Sequence, residues 1–198
     1  MTSEWRLDVV WNAETTANGH YSDAVITSGD GTKSVVVCDS TKCRLLAFKR
    51  NGNKCVLANK ASFRPFCMTN DEKGHILITK YNSTSLCHLD ANKLKETKGA
   101  KKIKLAEQPL GLARLEGAMT VVAESNKILA IYDDSANCIT RWRCDMQPQY
   151  VAAKNNIIVA SFRDDNCIIA YDTKGTRKWK MQFFQPRGIA VDNDKVIV

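Results

Sequence analysis

Four prolines punctuate this chain, and each opens a short apolar segment: Pro65-Phe66-Cys67-Met68, Pro109-Leu110-Gly111-Leu112-Ala113, Pro148-Gln149-Tyr150-Val151-Ala152 and Pro186-Arg187-Gly188-Ile189-Ala190-Val191. They are all the prolines present, and they stand 44, 39 and 38 residues apart. A repeat of about 40 residues that carries short strands is the mark of a propeller blade. The fold follows more directly than the function, because propellers present surfaces and host many unrelated activities.

The stretch from Pro148 shows the unit most clearly. Strands are expected at Tyr150 to Ala153, Ile157 to Ala160, Cys167 to Tyr171 and Lys178 to Phe183, separated by Lys154-Asn155-Asn156, Arg163-Asp164-Asp165-Asn166 and Thr173-Lys174-Gly175-Thr176. The stretch from Pro109 repeats it with Met119 to Ala123, Ile128 to Tyr132 and Cys138 to Trp142, and that from Pro65 with His75 to Thr79 and Ser85 to Leu89. Before any proline, Asp23 to Ile26, Ser34 to Val37 and Arg44 to Phe48 fit the same frame. Apolar runs of this kind also occur in buried helices, but their brevity and the Asn/Asp/Gly punctuation argue for strands. Trp142 and Trp179 are expected at equivalent fourth-strand positions, packing between blades.

The expected architecture is therefore all-β: a β-propeller of four-stranded antiparallel blades, with about four and a half blades present. The repeats run over residues 22–64, 65–108, 109–147, 148–185 and, in part, 186–198. Residues 1–21 form an N-terminal segment whose Trp5-Arg6-Leu7-Asp8-Val9-Val10 can act as a ring-closing strand. Closure is what removes sheet edges from a propeller, and closed rings usually have six or more blades. The expectation is an incomplete six-bladed ring: a fragment, or a ring finished by a second chain. Open flanks also favour self-association through blade edges.

The 29 lysines and arginines against 21 acidic residues give a formal charge of +8. That biases the chain towards acidic partners such as RNA or acidic protein segments, while also keeping it soluble. The N-terminus has no apolar core of signal-peptide length and no later stretch can cross a bilayer, so a cytoplasmic protein without a membrane partner is expected. Cys38, Cys43, Cys55, Cys67, Cys87, Cys138, Cys144 and Cys167 are scattered, with no Cys-x-x-Cys pair, and His20, His75 and His88 are the only imidazoles. These cysteines read as small buried hydrophobes, and no metal site or cofactor is expected.

A finer pattern lies inside the period. Val36-Val37-Cys38-Asp39-Ser40-Thr41-Lys42-Cys43-Arg44-Leu45-Leu46-Ala47-Phe48 runs as apolar strand, Asp-Ser turn, Arg and alternating strand. With Pro186-Arg187-Gly188-Ile189-Ala190-Val191-Asp192, it resembles the NHL repeat, which forms six-bladed propellers at the C-termini of tripartite-motif-type ubiquitin ligases and related scaffolds. The family's Asn-His-Arg is reduced here to Lys42-Cys43-Arg44, while Asn126-Lys127-Ile128 and Asn166-Cys167-Ile168 retain only the Asn. Tyr171 to Trp179 is also similar to a quinoprotein repeat. The resemblance implies a docking propeller, the substrate-binding part of a ubiquitin-ligase-type scaffold. No RING-type zinc motif is present to transfer ubiquitin.

In a blade of that kind, the turn before the first strand and the turn between the second and third strands share one face. The candidate binding residues on it are Lys42, Arg64, Lys80, Tyr81, Lys127, Gln149, Arg163 and Arg187, with Gln108, Gln147 and Gln185 nearby. Cations can track phosphate or carboxylate, amides can read polar edges, and a tyrosine can stack. Asp39, Glu124, Asp164 and Asp165 occupy the same turns and oppose a polyanion. Lys93, Lys95, Lys98, Lys101, Lys102 and Lys104 read as a solvated connection or as lysines guarding an edge.

Catalytic signals are thin. Gly29-Asp30-Gly31-Thr32-Lys33 lacks the spacing and the helix of a phosphate loop. Cys87 and His88 are neighbours on one strand and point to opposite faces, so they cannot pair as nucleophile and base. Glu124 and Asn166 are the only nominees for a lactonase-type calcium site. The expected function is a non-catalytic module that binds a protein or single-stranded RNA through its turn-rich face. The alternative is a metal-dependent lactonase-like or quinoprotein-like enzyme fragment.

Overall fold

Short apolar runs broken by turn formers leave the backbone few ways to satisfy its hydrogen bonds other than tight antiparallel meanders. The computed structural model describes residues 21–29, 32–49, 55–60, 63–71, 73–90, 101–117, 119–192 and 195–198, and it is built of such meanders. The first blade holds β1 (Tyr21–Gly29), β2 (Thr32–Asp39), β3 (Arg44–Lys49) and β4 (Cys55–Lys60). The second holds β5 (Pro65–Asn70), β6 (His75–Lys80), β7 (Ser85–Asp90) and β8 (Lys101–Lys104). The third comprises β9 (Pro109–Leu115), β10 (Met119–Glu124), β11 (Ile128–Tyr132) and β12 (Cys138–Arg143). The fourth comprises β13 (Tyr150–Lys154), β14 (Ile157–Phe162), β15 (Cys167–Asp172) and β16 (Arg177–Gln182). A two-stranded sheet of β17 (Ala190–Asp192) and β18 (Lys195–Ile197) follows.

The first strands stand side by side in sequence order, β1 next to β5, β5 to β9, β9 to β13 and β13 to β17. Each sheet runs outward from this inner row in the order in which its strands occur. The result is a four-bladed β-propeller arrangement with the start of a further sheet. Backbones in the inner row approach closely. A Cβ added to Gly111 on β9 would lie 2.7 Å from the Gln149 carbonyl oxygen and 2.9 Å from the Tyr150 Cα. Glycine here is a demand of packing.

Both faces of the inner sheets are apolar, and three cores fill the seams between blades. Val36, Cys38, Leu45 and Ala47 meet Met68, Ile76, Ile78, Cys87 and Leu89 between the first and second blades. On the other face of the second blade, Cys67, Leu77, Leu86 and Leu105 meet Leu112, Val122, Ala130 and Tyr132. The largest core lies between the third and fourth blades, where Val121, Leu129 and Ile131 pack on Ile158, Phe162, Ile169 and Tyr171. Cys87 lies in the first seam, whereas its neighbour His88 faces the second. Cys38, Cys67, Cys87, Cys144 and Cys167 are buried free thiols, and burial raises the pKa of each.

Three sequence expectations change. The first blade's outermost strand, β4, was not among the expected strands, and the lysine-rich connection of the second blade contains an edge strand, β8. Lys101, Lys102 and Lys104 are exposed there, while Ile103 turns inward against the second seam. The two tryptophans are not equivalent. Trp142 pairs with Leu129 and Trp179 with Ala170, one same-face position further along. Trp142 packs in the third core, where it also lies 2.8 Å from a Cβ added at Gly175, whereas Trp179 is exposed beside Met181 and Phe183. The residue 5–10 strand lies outside the described residues.

One turn recurs on the face of the first-to-second and third-to-fourth strand turns. In Asp71–His75, Asp133–Asn137 and Asp172–Thr176, the aspartate Oδ1 accepts N–H groups from the residues two and four positions later at 2.8 to 3.0 Å. The fourth residue of each turn has positive φ: Gly74 at 78°, Ala136 at 68° and Gly175 at 84°. Only Ala136 carries a Cβ there, against the usual steric preference. Ala136→Gly is expected to raise stability by about 1 kcal/mol. Gly111→Ala should lower it by about 3 kcal/mol, since main chain would have to move. Denaturant midpoints of the two variants check both signs.

Candidate functional site

The opposite face is built from main-chain ties. The second-to-third strand turns of the second and third blades are clamped between the segment entering the blade and the segment leaving it, and that of the fourth blade is tied to the leaving segment. Tyr81 N–H donates to the Arg64 carbonyl at 3.0 Å and Ser125 N–H to that of Gln108 at 2.8 Å. On the leaving side, Leu105, Cys144 and Phe183 donate to the carbonyls of Thr84, Lys127 and Asn166 at 2.7 to 2.8 Å. Each second-to-third strand turn contains a residue of positive φ: Cys43, Asn82, Asn126 with Lys127, or Asn166. Asparagine tolerates that conformation better than most residues, which explains why Asn126 and Asn166 stand where they do.

The candidate residues fall into distinct environments on this face. Arg64 is exposed, with its guanidinium carbon 4.5 Å from the centre of the Tyr81 ring, and Tyr81 itself is 48% exposed. Lys80 is buried, its ammonium 5.0 Å from the centre of the Phe63 ring, and burial lowers its pKa. Lys42 sits in the turn held by Asp39, whose Oδ1 accepts the Lys42 N–H at 3.0 Å. Lys127 is an exposed residue, but it gives its N–H to Gln147 Oε1 at 3.0 Å and its ammonium to the Asp145 carbonyl at 2.9 Å. Gln149 donates to Asp164 at 3.4 Å, and its own Oε1 is buried without a hydrogen-bond partner.

Arg163 and Arg187 converge electrostatically on Tyr150. Burial raises the Tyr150 pKa, the charges of Cys67 and Asp23 add to that, and the two arginines oppose it. The Tyr150 ring stacks on Phe66 with centroids 6.1 Å apart and planes inclined by 26°. Asp23, from the first blade, accepts the Met68 N–H at 2.6 Å, and burial raises its carboxyl pKa. The inner row thus gathers Asp23, Phe66, Cys67 and Tyr150 from three blades, with Arg163 and Arg187 close by. Sequence reading placed the two arginines on this face and missed Phe66 and Tyr150, which begin inner strands just after Pro65 and Pro148. Their signal was available, since large aromatics stand there where the third blade carries Leu110 and Gly111.

The acidic residues of the face are engaged. Asp39 receives Arg44 Nε at 2.8 Å. Glu124 is buried, accepts the Tyr132 hydroxyl at 2.6 Å, and has the Arg141 guanidinium 3.2 Å from its other oxygen, out of line for a hydrogen bond. Asn166 Oδ1 accepts the Gln185 N–H at 3.0 Å. The two nominees for a calcium site are each committed to local partners.

The matches with known proteins define a class. No protein-family model matches the chain, and no curated protein matches it. Solved structures do. A virginiamycin B lyase from Staphylococcus aureus superposes with a TM-score of 0.71 at 15% identity, covering 92% of this chain and 64% of that one. A chain of a nidogen–laminin complex gives 0.66 at 14% identity, covering 79% and 63%. A BBS1N–ARL6DN complex gives 0.62 at 15%, covering 84% and 56%. This chain therefore spans less than two thirds of each of these structures. The likenesses show a β-propeller fold, and they include both an enzyme and propellers crystallised with protein partners. They give no support to a tripartite-motif relationship.

Glu124 generates a pH prediction. Burial pushes its carboxyl above the ordinary 4.5, against the pull of Tyr132 and Arg141. The folded state then holds that proton more tightly than the unfolded chain, so stability falls as pH rises from 4.5 through the raised value. Glu124→Gln keeps an oxygen for Tyr132 and removes the titration. Its stability should lose the downward slope that the parent protein shows as pH rises above 4.5, read by chemical denaturation at several pH values.

Proposed function

We propose that this chain is a non-catalytic interaction module that binds an acidic segment of a protein partner on its turn-rich face. The observation that carries the reading is geometric, the Phe66–Tyr150 stack and the Arg64–Tyr81 pair on one face, with the charges of Arg163 and Arg187 acting on Tyr150. Aromatic and arginine side chains are the residues that dominate protein interfaces, because they combine apolar area with charge-assisted hydrogen bonds. The chain's formal charge of +8 supports an acidic partner.

A protein fits better than single-stranded RNA. A polyanionic backbone needs an unbroken cationic track, with bases stacked at intervals. Here the exposed Asp164 and Asp165 interrupt the face, Lys80 is buried, and Lys127 is spent on a carbonyl. Two of the structurally similar propellers are in complexes with proteins, laminin and ARL6DN, which favours the same class of partner. The role as a docking part of a larger scaffold belongs to this proposal.

The test uses fluorescence anisotropy with two probes, a Glu/Asp-rich peptide and an oligouridylate, across a salt series. The peptide is expected to bind more tightly. Arg163→Ala and Arg187→Ala should each weaken it by at least about fivefold and flatten its salt dependence, whereas Lys127→Ala should leave both nearly unchanged. Tighter binding of the oligouridylate, or peptide binding indifferent to both arginine variants, would overturn the proposal.

A further inference from the structure

At the opposite end of the seam between the second and third blades, two histidines and an aspartate converge. β6 and β7 pair with Leu77 facing His88 and His75 facing Asp90, which sets His75 and His88 on one diagonal of a single sheet face. Their rings meet edge to face with centroids 4.6 Å apart. Asp71, from the turn that joins β5 to β6, completes the group. Its Oδ2 lies 2.9 Å from His75 Nδ1 and 3.9 Å from His88 Nε2. The three ligand-type atoms all lie within 4.8 Å of one another.

The carboxylate is aimed by its own turn. Oδ1 accepts the N–H groups of Lys73 and His75 at 2.9 and 2.8 Å, so Oδ2 is the oxygen presented to the imidazoles. Burial opposes ionisation of Asp71, but hydrogen bonds from His75 prevail and hold its pKa below the ordinary value. At 3.9 Å, His88 Nε2 is too far from Oδ2 for a hydrogen bond. Burial, and then the neighbouring His75, keep the His88 imidazole inclined to stay neutral. The group opens on a cleft of about 180 Å³ that Arg114, Tyr132, Asp133 and Asp134 line from the third blade. Arg114 is held there by Asp134 at 2.7 Å.

We propose that Asp71, His75 and His88 bind a first-row divalent metal ion of the zinc type, leaving one coordination position open to the cleft. Two imidazole nitrogens and a carboxylate oxygen are a donor set that zinc accepts at about 2.0–2.2 Å. Separations of 2.9 and 3.9 Å fall either side of the edge of such a tetrahedron, about 3.4 Å, and all three donor atoms lie within 4.8 Å of one another. On binding, the metal replaces the proton shared by His75 Nδ1 and Asp71. The site needs no cysteine and no Cys-x-x-Cys spacing. It is assembled by hairpin register.

The test is zinc titration of the full chain after chelator treatment, by calorimetry, with cobalt(II) absorption as a second readout. One equivalent should bind, and cobalt should give a four-coordinate spectrum without a thiolate charge-transfer band. His88→Ala and His75→Ala should each weaken binding by more than about 100-fold, beyond what loss of an outer-shell partner costs. Thermal unfolding of both variants in chelator checks that they fold. His88→Gln, which keeps the size and polarity of the side chain, serves if the alanine variant does not. Absence of stoichiometric zinc, a thiolate band, or full binding by folded histidine variants would overturn the proposal.

Discussion

A four-stranded sheet that is apolar on both faces cannot exist alone in water, and everything else in this molecule follows from that. Val122 and Ala130 look towards the second blade, and Val121, Leu129 and Ile131 towards the fourth. Each blade therefore finishes its neighbour's core, and stability resides in seams more than in sheets. The inner strands must come close enough to bring both seams to density, which is why Gly111 has no room for a methyl group. Where a seam is not covered, the cost is visible: Trp179, Met181 and Phe183 stand exposed on the same side of the fourth blade.

Two faces result, with different chemistry. The face of the second-to-third strand turns is stiffened by main-chain ties, so side chains displayed there, Arg64 and Tyr81 among them, rest on a fixed scaffold. That is the property of a docking surface. The other face is built by self-contained Asp turns that carry side chains at seam mouths. Asp71 shows how such a turn acquires a second use, since the oxygen it does not need for backbone faces two imidazoles.

Much of the fold was legible because prolines mark the first strand of each blade from the second onward, and the turns are spelled in Asn, Asp and Gly. What escaped did so for physical reasons. β4 and β8 are outermost strands, paired along one edge only, and β8, Lys101-Lys102-Ile103-Lys104, has no apolar run to announce it. The offset between Trp142 and Trp179 lies in the sequence, nine residues after Asp133 against seven after Asp172, and the pairing irregularity beside Ile131 and Ala170 is the same in both blades. Site residues were harder. Position alone nominates Arg163, Arg187 and Lys80 alike, and Lys80 is buried. The His75–His88 pair was invisible because its partners are 13 residues apart and meet only through hairpin register.

The ties between blades are unevenly distributed. Every described crossing from one blade to the next runs on the face of the second-to-third strand turns, the one proposed for docking, through the segments around Phe63, Glu107, Met146 and Phe184. Among the described residues of the other face the chain turns back within a blade, and side chains hold neighbouring sheets together there. The molecule is bound like a book, with its spine at the docking face and its fore-edge at the Asp turns. A partner gripping the spine joins blades that covalent bonds already join. Anything lodged at the fore-edge, such as the proposed ion beside Arg114 and Asp134, would sit where side chains, not chain crossings, join the pages.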